Sequence, residues 1–329
     1  MSTGAPDAPI LDVRDLTVRF RSRRGEAPVT AVNRASFAIA PGETLALVGQ
    51  SGSGKTTTGR AVLQLQKATS GSVRLLNRDL GTMAPGELRR MRRHMQFVQQ
   101  NPYSSLHPRL TIGRILAEPL ETHRCVPASR VAGRVAELLA LVDLDPAVAG
   151  RYPHEFSGGQ RQRVVIARAL AAGPDFVVCD EPVSALDVRT QARIVALLRS
   201  LQEKLGVSYL FIAHDLAMVR DVAHTVAVMY GGQIVEMGPV AQVYCSPAHP
   251  YTQMLLEAVP VPDPALQRER LRRAPVETRF MPADAASGPC LYGEDHARTG
   301  TAPFHWIADG HGVSCRCLPQ HSARPVSGR

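Results

Sequence analysis

This sequence has no long apolar runs and few cysteines or aromatic residues. No apolar run approaches the roughly 18 residues that a helix needs to cross a bilayer, so we expect no membrane-spanning segment. The six cysteines are scattered through 329 residues, which excludes a disulfide framework and predicts reduced thiols. Aromatic residues make up only 5% of the chain, and they do not form the platform with which RNA-binding domains stack bases. These absences favour an ordinary globular protein.

The charge and the N-terminus restrict the chain further. The net charge is +9, and much of the excess lies in the arginine-rich residues 88–93 and 267–273, which are typical of solvated surfaces. We therefore expect no nucleic-acid partner. The first residues lack the basic and then apolar layout of a signal peptide, which predicts a cytoplasmic location.

A glycine-rich turn separates an apolar strand-like run, residues 44–48, from a helix-forming segment, residues 56–65. This is the setting in which backbone N–H groups and a helix N-terminus converge on phosphate, and it disfavours a flexible linker. Lys55 is expected to reach the β- and γ-phosphates, and the Thr56 hydroxyl is expected to bind Mg²⁺. The predicted phosphate-binding residues are Gly49, Ser51, Gly52, Ser53, Gly54, Lys55, Thr56 and Thr57.

Two alternating segments near the N-terminus, residues 10–20 and 32–39, predict an antiparallel β-layer ahead of this turn. Phe20 closes the first segment. Its ring could stack on an adenine base, or it could simply belong to the core, and the sequence leaves both interpretations open.

Acidic and polar residues follow two short apolar strands. The strand at 176–179 ends in Asp180 and Glu181, and the strand at 208–213 ends at His214. Because the carboxyl ends of buried parallel strands carry the ligands of α/β sheets, Asp180 is suited to hold Mg²⁺ through water. Glu181 is suited to polarise an attacking water, and His214 to contact the γ-phosphate. Gln100 ends a further strand at 95–99.

Between these strands the pattern becomes helical. Val131, Val135, Leu138 and Val142 fall on one helix face, which predicts an inserted helical subdomain over about 102–157. In the next segment a Ser-Gly-Gly turn leads into the start of a helix, whose free N–H groups attract anions. This predicts a second anion site formed by Ser157, Gly158, Gly159 and Gln160. Asp187 precedes another helix, for which it could simply be the N-cap.

Together these motifs resemble the ATP-binding cassette (ABC) family over about residues 10–258. They are GQSGSGKTT, the glutamine at 100, SGGQ at 157–160, VVCDEP with SALD, and the histidine at 214. The resemblance implies that Lys55 and Thr56 grip phosphate and metal. It also implies that Asp180 supports Mg²⁺ and that Glu181 is the catalytic base. Gln100 would sense the metal and couple the cassette to a membrane subunit.

The resemblance further implies that two cassettes meet head to tail. Each ATP would then lie between one phosphate loop, with His214 anchoring the γ-phosphate, and the partner's residues 157–160. Asp187 would lie in the same nucleotide site. The working pair would be this chain and a second ABC ATPase subunit, which could be another copy or a related chain.

A downstream segment, SPAHPYTQMLL at 246–256 followed by Val259 and Pro260, resembles the tail of oligopeptide, dipeptide and nickel importer ATPases. This implies two transmembrane permease subunits, an indirect link to an extracytoplasmic solute-binding protein, and a place on the cytoplasmic face of the membrane. Peptide, nickel or another small solute remain open. A plainer interpretation is that His249 and Pro250 only start a helix. A soluble non-transport cassette and an exporter cassette are the rival functions.

The predicted fold is therefore α/β: a P-loop ATP-binding cassette with an antiparallel β-layer, a mixed β-core and an inserted helical subdomain. We expect the ATPase domain to cover residues 1–258 and a partly irregular C-terminal extension to cover 259–329.

The extension carries part of a cysteine set that is found in related importers and that in some of them is associated with an iron–sulfur cluster. Cys290 is present, but His296 stands where the second cysteine is expected, and Cys315 and Cys317 follow His311. A mixed thiolate and imidazole set suits zinc better than a four-cysteine cluster. The irregular composition favours a tail without metal, and we expect no stoichiometric iron.

Overall fold

The computed structural model describes residues 8–21, 28–214, 216–259, 304–308 and 310–314, with the Ala217 side chain left out. Within these ranges, no helix is long and apolar enough to cross a membrane.

The described strands are β1 (Leu11–Phe20), β2 (Val29–Ile39), β3 (Thr44–Val48), β4 (Ser70–Leu75), β5 (Arg78–Asp79), β6 (Met95–Val98), β7 (Phe176–Asp180), β8 (Ser208–Ala213), β9 (Thr225–Tyr230), β10 (Gln233–Pro239), β11 (Phe304–Ala308) and β12 (His311–Ser314).

The described α-helices are α1 (Lys55–Val62), α2 (Pro85–Met91), α3 (Pro102–Ser105), α4 (Ile112–Thr122), α5 (Val131–Leu141), α6 (Gly158–Leu170), α7 (Val188–Leu205), α8 (Leu216–Val219), α9 (Val240–Cys245) and α10 (Pro250–Glu257). Short 3₁₀ helices lie at Leu80–Thr82, Ala128–Arg130, Pro146–Gly150 and Pro153–Glu155.

The smaller of two sheets is antiparallel, with the strand order β2-β1-β4-β5. Leu11 of β1 lies opposite Ile39 of β2 on one side and Leu75 of β4 on the other. All three side chains are buried, so the alternating pattern places one face of this sheet in the core. The antiparallel layer predicted from the sequence is confirmed.

The larger sheet has the order β11-β12-β10-β9-β3-β8-β7-β6. Neighbours from β9 to β6 run parallel, whereas β10, β11 and β12 pair antiparallel. Every residue of β3, β7 and β8 is buried, because both faces of these strands are covered. The carboxyl ends of β3, β6, β7 and β8 share one edge of the sheet, and this edge carries the candidate site.

Two cores lie on opposite faces of the large sheet. Alternate residues of β3 divide between them: Ala46 and Val48 face the core that α6 and α7 cover, and Leu45 and Leu47 face the core shared with the smaller sheet. Helix α1 adds Ala61 and Val62 to the second core. It ends earlier than predicted because Gln64 has a φ of 54°, which a helix cannot continue through.

The segment between β6 and α6 is helical, as the periodicity predicted. Val135 and Leu138 of α5 are buried against the same core as Leu116 of α4. Val142 is also buried, although α5 ends one residue before it.

Part of the predicted extension joins the large sheet. Strands β11 and β12 form a hairpin, and β12 pairs with β10 through Glu236 opposite Val313 and Met237 opposite Gly312. The four residues of β12 are buried. The predicted boundary at residue 258 remains a prediction.

Candidate nucleotide-binding site

The loop between β3 and α1 requires glycine at defined positions. Gly49, Gly52 and Gly54 have φ values of 154°, 81° and 103°. A Cβ atom at Gly49 would lie 2.1 Å from the Met229 carbonyl oxygen, and one at Gly54 would lie 2.3 Å from the Ala31 carbonyl oxygen. Side chains at these two positions would therefore displace backbone. The result is a tight turn that leads directly into the N-terminus of α1, where free N–H groups attract anions.

Lys55, the first residue of α1, points back into this loop. Its Nζ atom donates to the carbonyl oxygens of Gly49 at 2.7 Å and Gln50 at 2.8 Å. Burial lowers the pKa of Lys55, while the carboxylates of Glu181 and Asp180 act in the opposite direction. The ammonium group is thus held at the loop by two of the loop's own peptide oxygens.

Thr56 and Asp180 form the second part of the site. The Thr56 hydroxyl donates to Asp180 Oδ1 at 2.9 Å, which links α1 to the end of β7. Burial raises the pKa of Asp180, and the hydrogen bond from Thr56 works against that increase. A hydroxyl and a carboxylate beside a phosphate-binding loop are the oxygen donors with which proteins hold Mg²⁺ together with substrate phosphates, so these residues fit that ion.

Three strand ends bring Gln100, Glu181 and His214 together. Gln100 Nε2 donates to Glu181 Oε2 at 2.8 Å, and His214 Nδ1 lies 3.6 Å from the same oxygen. Glu181 has a φ of 46°, in the left-handed region, and its N–H donates to the Ile212 carbonyl oxygen at 3.0 Å. This backbone turn directs the carboxylate away from the strand and towards its two neighbours.

The remaining loop residues have mixed exposure. Ser53 is buried, Thr57 is half-buried and Ser51 is exposed. Phe20 is 40% exposed at the end of β1 and lines a surface cavity of about 390 Å³ together with Gln66 and Lys67. The core interpretation of Phe20 is therefore wrong, and the ring is accessible to a planar ligand.

Residues 157–160 form a separate patch. Ser157 caps α6: its Oγ accepts from Gln160 N at 3.3 Å, while its own N–H donates to Gln160 Oε1 at 3.0 Å. Ser157 and Gln160 are exposed, and Gly158 and Gly159 are half-buried. Both segments lie in the described part of the chain, and no hydrogen bond or ion pair joins 157–160 to 49–57 there.

Asp187 is the N-cap of α7, in agreement with the plainer of its two interpretations. Its carboxylate accepts from Thr190 N at 3.0 Å and from the Thr190 hydroxyl at 2.7 Å, and these bonds lower the pKa of Asp187. A Cβ atom at Gly159 would lie 2.5 Å from the Thr190 methyl group, so the start of α7 packs closely beside residues 157–160.

The HPYT segment has contacts that the sequence did not predict. His249 is the N-cap of α10, where its Nδ1 accepts from Tyr251 N at 3.1 Å, so the helix-start interpretation is confirmed. The Tyr251 hydroxyl, however, accepts from the N–H of Gln50 in the phosphate loop at 2.9 Å. The HPYT motif distinguishes this segment in the sequence, but nothing in the motif indicates a partner 201 residues away.

The predicted cysteine set, Cys290, His296, Cys315 and Cys317, lies outside the described residues. Within the described ranges there is no group of three or more potential metal-binding His, Cys, Asp or Glu side chains. His311 is described, and its Nε2 lies 2.8 Å from Glu236 Oε1.

Two family models match this sequence. The model described as ABC transporter matches residues 32–184, which include the loop, Gln100, Asp180 and Glu181. The model described as oligopeptide/dipeptide transporter, C-terminal region, matches residues 235–294.

Curated relatives match over most of the chain. The glutathione import ATP-binding protein GsiA of Escherichia coli K12 is 48% identical over 308 residues, covering 91% of this chain and 48% of the relative. The protein of the same name from Shigella boydii serotype 4 is 52% identical with the same coverage. The chain thus spans about half the length of the curated relatives it matches.

Solved structures match in fold. The dimeric MJ0796, described as a bacterial ABC transporter cassette, has a TM-score of 0.63 and 30% identity, covering 70% of this chain and 98% of that one. Its post-hydrolysis state bound to ADP and Pi matches with a TM-score of 0.63 and 29% identity, covering 70% and 98%. The cassette cbiO1 from Clostridium perfringens has a TM-score of 0.65 and 24% identity, covering 72% of this chain and 91% of that one. At this identity it supports the fold alone.

Proposed function

The chain belongs to the ATP-binding cassette (ABC) transporter family, and from that premise we propose that it hydrolyses MgATP to drive a membrane importer. The observation that carries the proposal is the convergence of four strand ends on the phosphate loop. Lys55, Thr56 and Asp180 lie where a triphosphate and its metal would bind, and Glu181 is held beside them by Gln100 and His214.

Binding of ATP rests on the loop and α1. The N–H groups of the loop and the helix N-terminus surround the phosphates. The Lys55 ammonium has three N–H donors, so it keeps the Gly49 carbonyl as one partner and donates to the β- and γ-phosphate oxygens with the other two. Phe20 at the end of β1 stacks on the adenine. Thr56 and Asp180 would hold Mg²⁺, with Gln100 as a third contact, and the ion would neutralise charge that develops on the phosphates.

Hydrolysis rests on Glu181. Its carboxylate orients a water molecule in line with the γ-phosphate and accepts the water's proton. Gln100 fixes the carboxylate through the 2.8 Å hydrogen bond, and His214, on the neighbouring strand end, contacts the γ-phosphate. Positioning and electrostatic stabilisation supply the catalysis, since phosphoryl transfer needs little covalent chemistry from the protein.

A second cassette completes each site. The turn at 157–160 exposes Ser157 and Gln160 to solvent and has no hydrogen bond or ion pair to residues 49–57 of its own chain. This supports a role for Ser157, Gly158, Gly159 and Gln160 on the nucleotide of a partner. Asp187, at the start of α7, lies next to this turn and belongs to the same surface. The dimeric solved relatives and the double length of the curated relatives also favour pairing. The partner is a second copy or a related cassette.

The C-terminal region supports one class of solute. The match at 235–294 and the relatives named for glutathione import both favour a small-peptide importer, with nickel or another small solute as the alternative. In that assembly the chain sits on the cytoplasmic face of the membrane against two permease subunits. A solute-binding protein outside the membrane delivers the solute.

Two experiments test the proposal: co-purification of the chain with its permease subunits, and solute uptake by the purified complex. Tagged protein carrying Glu181→Gln is purified with ATP from detergent-solubilised membranes, and bound proteins are identified by mass spectrometry. Recovery of two transmembrane permeases supports the proposal. Proteoliposomes with the wild-type complex are then given labelled dipeptide, glutathione or nickel. ATP-dependent uptake of a peptide supports the proposed solute class. Uptake of nickel alone would replace peptide by nickel as the solute. Purification of the tagged protein without any permease would contradict a transport role.

A further inference from the structure

Tyr251 connects the C-terminal part of the chain to the phosphate loop. Its side chain is buried, with 1% exposure, and its hydroxyl accepts the N–H of Gln50 at 2.9 Å. Gln50 immediately follows the first glycine of the loop. The hydroxyl therefore contacts the loop at its first peptide group, on the strand side of the cradle.

That peptide group is held from both sides. The Gly49 carbonyl and the Gln50 N–H belong to one planar trans unit, so they point in opposite directions. Lys55 Nζ donates to the Gly49 carbonyl at 2.7 Å, and the Tyr251 hydroxyl accepts from the Gln50 N–H at 2.9 Å. A rotation of this peptide plane would break both contacts, so Tyr251 restrains the group to which Lys55 is bonded.

Tyr251 is itself held by its place at the start of α10 and by a ring contact with the last residue of β9. It lies in the first turn of α10, which His249 caps, and its ring packs against Tyr230 with centroids 4.6 Å apart. The Glu236 side chain of β10 is fully buried and accepts from His249 N at 2.9 Å and Ala248 N at 2.8 Å. The start of α10 is thus bonded to the sheet.

The third partner of Glu236 comes from the hairpin. His311 of β12 is 4% exposed, and its Nε2 lies 2.8 Å from Glu236 Oε1. A buried carboxylate needs several donors, and His311 supplies one from a segment 75 residues away. A continuous set of hydrogen bonds and chain segments therefore runs from the hairpin to the phosphate loop.

We propose that Tyr251 is a positioning residue for the phosphate loop, and that Glu236 and His311 keep its hydroxyl in place. This inference rests on the proposed ATP-binding function. It gives the HPYT segment a physical role: the C-terminal region orients the first peptide group of the loop and, through it, the Lys55 ammonium. The hairpin, which belongs to the predicted extension, then contributes to nucleotide affinity through Glu236 and Tyr251.

The first test removes only the Tyr251 hydroxyl. In the full chain, Tyr251→Phe should weaken MgATP binding about three- to tenfold in isothermal titration, as expected for one lost hydrogen bond. It should also speed hydrogen exchange of the Gln50 amide, because that N–H loses its acceptor. Tyr209→Phe is the matched control: Tyr209 is buried in β8, and its hydroxyl has no hydrogen-bond partner among the described residues.

The control variant should bind MgATP as wild type does and leave Gln50 exchange unchanged. A merely structural role for Tyr251 would lower the melting temperature without a selective change in Gln50 exchange. Unchanged affinity and unchanged exchange in Tyr251→Phe would overturn the inference. If instead wild type and Tyr209→Phe also bind no MgATP, the proposed function itself has failed.

The second test examines the link to the hairpin. His311→Ala should weaken MgATP binding about twofold or more, whereas His311→Gln, which keeps a donor, should stay closer to wild type. In the Tyr251→Phe background, His311→Ala should have little further effect, because both changes act through the same hydroxyl. Full additivity of the two changes would overturn the role given to His311 and Glu236.

Discussion

The side-chain amide of Gln100 donates a 2.8 Å hydrogen bond to the Glu181 carboxylate across neighbouring strands β6 and β7. The two residues are 81 positions apart, and the oxygen that they share also lies 3.6 Å from His214 Nδ1. Glu181 is therefore held by residues from both flanking strand ends. Its orientation is set before any substrate arrives, and this suits the proposed role of positioning one water molecule.

Glu181→Gln should abolish turnover and preserve ATP binding. The substitution keeps the size of the side chain but removes the base, and loss of such a group typically lowers the rate by ~10²-fold or more. Steady-state ATPase activity and MgATP affinity are measured on the same preparation. Glu203→Gln, at an exposed position on α7, is the control and should change neither. A rate for Glu181→Gln within about threefold of wild type would contradict the assignment.

Ser157→Arg should abolish hydrolysis in the assembled transporter. In the proposed arrangement half of each site lies on a partner, so the isolated chain is expected to hydrolyse ATP slowly and with a rate per chain that rises with concentration. Arginine at 157 would obstruct that half. Two variants serve as controls. Ser157→Ala removes only the cap of α6, which typically costs about 1 kcal/mol of stability. Ser70→Arg adds the same bulk at an exposed position away from the turn. Undiminished hydrolysis in Ser157→Arg would exclude completion of the site by a partner.

His249 should make the fold less stable in mild acid. Burial lowers the pKa of His249 from its ordinary value of 6.5 to about 4. Above pH 6.5 the His249 side chain is neutral in both the folded and the unfolded chain, so it does not lower the free energy of unfolding. As the pH falls from 6.5 towards 4, the unfolded chain binds a proton that the folded chain does not, so stability falls.

Between pH 7 and pH 5 this loss should amount to about 2 kcal/mol in urea unfolding. His249→Asn keeps an N-cap acceptor but does not titrate, so its stability should fall less over the same interval. Equal pH dependence in the two proteins would show that His249 does not titrate as its burial requires.

Purified protein should contain no stoichiometric iron. The expectation rests on His296 standing in place of a cysteine, and it concerns residues outside the described ranges. The iron content per chain is measured by metal analysis and by an absorbance spectrum after anaerobic purification. Cys290→Ser serves as the control for adventitious binding. Iron near four per chain with a visible thiolate-to-iron band, lost in that variant, would refute it.

The residues that the structure brings together around the phosphate loop could be identified from the sequence where the signals are local. The glycine-rich loop and the residues after β6, β7 and β8 were identifiable because parallel strands end at one edge of a sheet. Contacts made by the tertiary fold were not predictable. Nothing local to Tyr251 indicates Gln50, and Glu236 gains its partner from His311 only once the hairpin has joined β10. The early end of α1 likewise depends on the conformation of Gln64.

The pairing of β12 with β10 also determines how far the chain can be shortened. Without the hairpin, β10 would end the large sheet with unpaired N–H and C=O groups, which attract strands of other molecules. A chain cut after residue 258 would expose that edge and leave buried Glu236 without His311. It should therefore self-associate, and its ATP affinity would describe an altered molecule. Experiments on a shortened chain therefore need the sequence as far as the hairpin, at least to Ser314.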